Sequence, residues 1–286
     1  MSFDRKKKIL IVGLGLMGGS YARALSRRGY YVTAITKDKE SIEYALDKGI
    51  ITKGSSFPDK DLISEADIIV FAVYPHIITG WLESYQQYFK AGALITDVTG
   101  VKGSIVYEIQ KMLRPDVEFI AAHPMAGREV YGVENSDDGI FWGANYIVVP
   151  TEKNSEEAVE LCEELGWTLG FGDVSRLSPE KHDEMIAFLS QLTHCIAVSL
   201  MCAKDDPDLV RYTGDSFRDL TRIAKINDEM WSELFLANKQ PLLDEMDRFK
   251  TAFDKMYECV KSGNREDMRE MMRCSTVRRG FFDKKR

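Results

Sequence analysis

Residues 8–20 read KILIVGLGLMGGS, and their reading decides the fold. An apolar run, Ile9 to Val12, leads straight into Gly13-Leu14-Gly15-Leu16-Met17-Gly18, and helix formers follow in Ala22, Arg23, Ala24 and Leu25. Strand, glycine turn and helix in this order are what a dinucleotide fingerprint requires. Gly13 permits the tight turn, Gly15 lets the backbone approach a pyrophosphate, and Gly18 lets helix and strand pack closely, with the helix N-terminus facing the anion. Leu16 and Met17 fall within the same cofactor-contacting turn. A glycine-rich turn without function is the alternative, and the flanking strand and helix weigh against it.

Working outward, Tyr30 to Ile35 is β-branched and aromatic, a second strand. In NAD-binding sheets the end of this strand usually carries an acid for the ribose 2′-hydroxyl. Here Thr36-Lys37 stands in that place, with Asp38 one or two positions late. A hydroxyl beside a cation suits a 2′-phosphate, so NADP is expected ahead of NAD; a merely solvated Lys37 is the alternative. Ile68 to Val73 is an unbroken apolar run, as in a buried parallel strand. Val73 and Tyr74 at its carboxyl end are expected beside the cofactor.

Helices are predicted over 41–48, 77–89, 105–113 and 156–165, the last closed by Gly166, with strands over 93–98, 119–122, 146–149 and 168–171. The alternation predicts an α/β, Rossmann-like doubly wound sheet. After Ser178-Pro179 no strand is evident. Met185, Leu189, Leu192, Ile196 and Leu200 recur at helical spacing, and 209–224, 229–237, 242–261 and 265–273 also read as helical. Residues 1–173 are therefore expected to be a dinucleotide-binding domain and 174–286 an all-helical substrate and dimerisation domain. The helices are apolar on more faces than a small bundle needs, which points to a homodimer.

The 286 residues, 44% hydrophobic and 29% charged, suit an ordinary globular protein. A net charge of −7 gives no reason to expect nucleic acid. The basic runs Arg5 to Lys8 and Lys284 to Arg286 read as solvated charge. Five cysteines without C-x-x-C spacing argue for reduced thiols in a cytoplasmic protein and against a metal site; Cys195 and Cys202 read as core residues. Glycines interrupt the apolar start, so a strand is expected there rather than a signal peptide. No continuous apolar run reaches the roughly 20 residues of a membrane span, so no membrane is expected.

Four histidines are present. His123 follows an apolar run at the edge where such sheets bind ligands, and Pro124 and Gly127 constrain its backbone; a hydrogen-bonded loop histidine is the alternative. His182 lies between Glu180 and Asp183 and reads as a solvated, structural residue. His194, within the long helix, reads by itself as a core histidine more than as a ligand contact, and His76 as a surface one.

GLGLMGGS (13–20), TDVTGVKG (96–103), HPMAG (123–127), SPEKHD (178–183), SQLTH (190–194) and FRDLTRIA (217–224) occur in this order. Together they resemble the TyrA family of prephenate and arogenate dehydrogenases, over roughly residues 8–231. The resemblance implies an architecture similar to the 6-phosphogluconate dehydrogenase-like enzymes. It also implies oxidative decarboxylation of prephenate, with His123 accepting the hydroxyl proton and Arg222 binding carboxylate. His194 would hold the substrate and favours prephenate over arogenate. No fused chorismate mutase or regulatory domain is expected after the helices.

Two departures stand out. The family's serine beside the catalytic histidine is Gly100 here. Thr99, a water, or nothing replaces it, so Thr99 and Gly100 are both expected at the substrate. Asp215 adds a negative charge that would favour the amine of arogenate unless a cation pairs with it. Arg128 reads equally as a carboxylate contact or a solvated residue. Rival readings are a hydroxy-acid dehydrogenase or imine reductase, and a non-catalytic NADPH sensor.

Overall fold

Residues 3–283 are described by the computed structural model, so the basic run Lys284–Arg286 lies outside the described residues. The apolar run of the opening stretch is β1 (Lys8–Val12). It is followed by α1 (Leu16–Arg27), β2 (Tyr31–Ile35), α2 (Lys39–Asp47), β3 (Lys53–Ser55), α3 (Lys60–Glu65), β4 (Ile68–Phe71), α4 (Pro75–Tyr85), β5 (Leu94–Asp97), α5 (Val106–Met112) and β6 (Glu118–Phe119). The six strands form one parallel sheet in the order β3-β2-β1-β4-β5-β6. Ile9 and Ile11 point into one core with Ala22, Leu25 and Leu165, whereas Leu10 and Val12 point into the other with Leu62, Leu82 and Ile109. Helices covering both faces explain why β1 and β4 are apolar without alternation. Strand order reverses between β1 and β4, and the crevice at such a switch point is where doubly wound sheets bind ligands.

Three sequence expectations change here. Lys53–Ser55, for which no element is predicted, forms the edge strand β3. At Ile120 the chain leaves the first sheet, and Ala121–Met125 is a strand of its own, β7. It pairs antiparallel with β8 (Asn145–Val149), so His123 sits mid-strand opposite Ile147 rather than in a loop. Third, α6 (Glu156–Leu169) runs through Gly166, whose missing side chain admits the Tyr146 ring; a Cβ there would lie 2.5 Å from it. The helix ends at Gly170, whose φ of 103° is a left-handed cap. The last strand is therefore not 168–171 but β9 (Asp173–Arg176), parallel to β8.

Ser178 caps α7 (Pro179–Ile186) by accepting the Lys181 N–H, with Pro179 at the first helical position. One π-helical turn, Ala187–Gln191, passes the chain on to α8 (Leu192–Cys202). The region 209–224 is helical only in part: it holds α9 (Asp215–Thr221) between short 3-10 turns, and α10 (Asp228–Ala237) follows. The membrane expectation needs correction on one point. Within the helical run Pro179–Cys202 an 18-residue stretch averages a hydropathy of 1.7, long and apolar enough by length and composition alone to cross a bilayer. Scattered polar residues hid this from a search for continuous runs. Only 28% of that stretch is buried within the chain, and Phe188, Leu189 and Met201 are exposed. Cys202 is exposed and Cys195 half-buried, so neither is the core residue expected.

By packing, the chain divides into two compact units, one up to Asn238 and the other from Lys239. The second unit comprises α11 (Lys239–Ser262) and α12 (Arg265–Gly280), joined at Gly263. Along α11, Met246, Phe249, Phe253, Tyr257 and Val260 recur at helical spacing and are exposed.

Candidate active site

The glycine turn is a tight cradle. Gly13 adopts φ 95° and donates its N–H to Ile35 O at 2.8 Å. A Cβ at Gly13 would lie 2.4 Å from Ala72 O, and one at Gly18 would lie 2.0 Å from Gly13 O. Gly15, the N-cap of α1, faces open space instead, with nothing within 4 Å of where a side chain would begin. A backbone closed on two sides and open on the third, at a helix N-terminus, fits a pyrophosphate. Leu16 and Met17 are half-buried beside it. Val73 packs against Gly13, and the Tyr74 hydroxyl accepts from Asn227 Nδ2 at 3.2 Å. At the end of β2, Thr36 donates its N–H to Ser55 O, and Lys37 is exposed. The Asp38 carboxylate caps α2 through the Glu40 and Ser41 N–H groups and the Ser41 hydroxyl, which together lower its pKa.

Beneath His123 lies a buried ion pair. Lys102, 0% exposed, donates to Asp97 Oδ2 at 2.7 Å, Ala122 O at 2.6 Å and Thr99 Oγ1 at 3.2 Å. All three ammonium protons have partners, as burial of a lysine demands. Asp97 also accepts from the Thr99 and Ala122 N–H groups, tying the 97–102 loop to β7. The Thr99 hydroxyl lies against Asp97 and the Val101 carbonyl, so it faces this buried clamp. Burial lowers the Lys102 pKa against the opposing pull of Asp97.

His123 Nδ1 lies 2.9 Å from His182 Nε2, and His182 Nδ1 lies 2.8 Å from Asp183 Oδ1. Asp183 in turn accepts the Lys102 and Gly103 N–H groups at 2.8 and 2.7 Å. His182 is 0% exposed, which corrects its reading as a solvated residue. Residues two apart on a helix, such as Glu180 and His182, face different sides. Glu180 turns outward to the Tyr107 hydroxyl, while His182 and Asp183 turn in. Burial, then His182 and the Lys102 charge, push the His123 imidazole well below its ordinary 6.5. Burial also lowers His182, with Asp183 opposing. The Cε1 edge of His123 faces Gly100: a Cβ at Gly100 would lie 4.0 Å from it and 3.5 Å from Leu234 Cδ1.

On α10, Trp231 lies one turn before Leu234 and stacks on His194, with ring centroids 3.7 Å apart. His194 Nδ1–H donates to Ser190 O at 2.9 Å, so Nε2 is the ring nitrogen that carries the lone pair in the neutral form. Its pKa is lowered, chiefly by burial. Arg222 pairs with Glu129. The far end of α10 is pinned through Asn238, which donates to Asp183 O and Gln191 Oε1, while Glu233 accepts the His76 N–H at the start of α4.

The comparisons with known proteins meet this geometry directly. A family model described as prephenate dehydrogenase, nucleotide-binding domain, matches residues 21–170, and one for the prephenate dehydrogenase dimerization domain matches residues 178–274. The chain belongs to the prephenate dehydrogenase family. Prephenate dehydrogenase of Bacillus subtilis is 30% identical over 92% of this chain and 72% of its own length. Cyclohexadienyl dehydrogenase of Zymomonas mobilis is 29% identical over 90% of this chain and 89% of its own. The crystal structure of Aquifex aeolicus prephenate dehydrogenase in complex with hydroxyphenyl propionate and NAD+ superposes with a TM-score of 0.88 at 30% identity, covering 97% of this chain and 98% of that one. The protein is thus a dehydrogenase with a nicotinamide-nucleotide domain.

Against the family pattern, several residues escaped the sequence reading. Lys102 and Asp97 lie inside the quoted TDVTGVKG stretch but are not titratable groups one expects to find fully buried. Glu129 and Trp231 carry no local signature. His182 and Asp183 were legible as a pair only once α7 was set against the 102–103 loop. Arg128, left open between two readings, pairs with Asp137 at 2.6 Å, and Asp215, 93% exposed, pairs with Arg218.

Proposed function

We propose that the protein catalyses oxidative decarboxylation of prephenate to 4-hydroxyphenylpyruvate, a step of tyrosine synthesis, with NADP as the preferred acceptor. The observation that carries this reading is the half-buried His123 imidazole, whose Cε1 edge faces Gly100 just beyond the carboxyl end of β5, in the sheet whose β1 ends in the glycine cradle. Gly13, Gly15, Leu16, Met17, Gly18, Val73 and Tyr74 would hold the dinucleotide, whose nicotinamide, when bound, takes up the hydride. His123 accepts the proton of the substrate's ring hydroxyl as that carbon becomes a carbonyl. Loss of the ring carboxylate then returns its electron pair to the ring, and aromatisation drives the step. Arg222 exchanges Glu129 for a substrate carboxylate, and His194, steadied by Trp231, orients it through Nε2. Gly100 leaves room for the ring, and Thr99 holds the loop from below rather than touching substrate.

The preference for NADP is supported at the end of β2. Asp38, the one acid near the ribose position, is engaged as a helix cap, while Lys37 has no ion-pair partner among the described residues. The pairing of Asp215 with Arg218 removes the ground for favouring arogenate. We assign residues 1–173 to dinucleotide binding and 174–286 to substrate binding and homodimer formation, in a cytoplasmic setting that suits five unpaired cysteines. The test is reduction of NADP and of NAD with prephenate and with arogenate in parallel. Fastest turnover for prephenate with NADP is expected. Preference for NAD would overturn the Thr36-Lys37 reading, and silence with all four pairs would overturn the reaction.

A further inference from the structure

A histidine that takes a proton must present a lone pair, and its neighbours decide on which nitrogen. Asp183 receives two backbone N–H groups, so it is an acceptor toward His182 as well. His182 therefore carries its proton on Nδ1 and donates it to Asp183 Oδ1. A neutral His182 is then left with an acceptor at Nε2, 2.9 Å from His123 Nδ1. His123 must place its own proton on Nδ1, and its Nε2, which has no hydrogen-bond partner among the described residues, keeps the lone pair. The charged groups around the pair are Asp183, Lys102 and Asp97; the Lys102 cation and burial oppose a second proton on His182.

We propose that His182 and Asp183 are positioning residues that lock His123 in the Nδ1–H tautomer, leaving Nε2 as the base. This rests on His123 being the proton acceptor. Were His182 to donate from Nε2 instead, His123 would carry its proton on the wrong nitrogen.

Two measurements on the full chain test this. The first is nitrogen NMR of histidine-labelled protein, where only four histidines need assignment and His123→Asn identifies the key ring. An Nδ1–H tautomer for His123 is expected, although free histidine prefers Nε2–H; an Nε2–H signal overturns the proposal. The second compares His182→Leu with His182→Gln, whose side-chain oxygen can still accept from Nδ1–H. The leucine variant should lose about 10²-fold or more in kcat, with KM for prephenate and Kd for the dinucleotide changed less than threefold. The glutamine variant should recover at least tenfold of that loss. A leucine variant with near wild-type kcat, or a folded glutamine variant as impaired as the leucine one, overturns the proposal. Should the leucine variant not fold, the NMR tautomer decides. Absence of turnover in the wild type would instead sink the reaction itself, whatever the tautomer.

Discussion

His123 sits in an arrangement that opposes protonation through burial, His182 and the Lys102 charge, which favours the neutral form a proton acceptor needs at the expense of basicity. With its pKa held below 6.5, kcat/KM should keep its plateau to a pH lower than a solvent-exposed histidine would allow, and a pH–rate profile checks this. His123 and His182 both bind protons less readily in the folded state than in the unfolded chain, where histidine titrates near 6.5. Their contribution to stability is thus full above that pH and is lost as pH falls toward the folded-state values; Tm measured across pH 7 to 5 should drop accordingly. His123→Asn should lower kcat by about 10²- to 10⁴-fold with KM little changed. Arg222→Ala should act the other way, raising KM well above its effect on kcat, since a bidentate cation binds the carboxylate in ground and transition states alike. Steady-state kinetics of the two variants separate these roles.

At the scale of elements, the glycine turn and the 97–102 loop do the positioning, and they were unequally legible. The turn could be read from Gly13 and Gly18 because no other residue fits those two contacts. The loop could not, because its strength lies in Lys102 reaching back to Asp97 and Ala122, a tertiary relation without a local pattern. Lys102→Met should destabilise the fold by about 3–5 kcal/mol by leaving Asp97 buried without its partner, as urea denaturation would show. β3 was missed because Lys53-Gly54-Ser55 has no strand propensity and is recruited only as an edge. The end of α6 was misplaced because Gly166 serves packing against Tyr146 rather than termination. His182 was misjudged because Glu180 faces away from it and Asp183, rather than keeping it solvated, is buried with it as its hydrogen-bond partner.

For the whole molecule, the alternation of strands and helices was plain from the chain, whereas the burial of its later helices was not. Apolar side chains on Pro179–Cys202 and on α11 remain exposed in a single chain, Phe253 at 61%. Burying such stripes in a symmetric interface is the common solution. Sedimentation should give twice the 32.5 kDa of one chain, and Phe253→Asp should shift the protein toward monomer. The proposed proton acceptor has a divided origin: His123 comes from the stretch matched by the nucleotide-binding family model, and His182 and Asp183, proposed to steer its proton, come from the stretch matched by the other. Neither fragment, produced alone, would own a working base. Chimaeras spliced near residue 175 from two relatives would inherit a proton acceptor from one parent and its tautomer from the other, so this seam should tolerate exchange only when both halves carry matching partners.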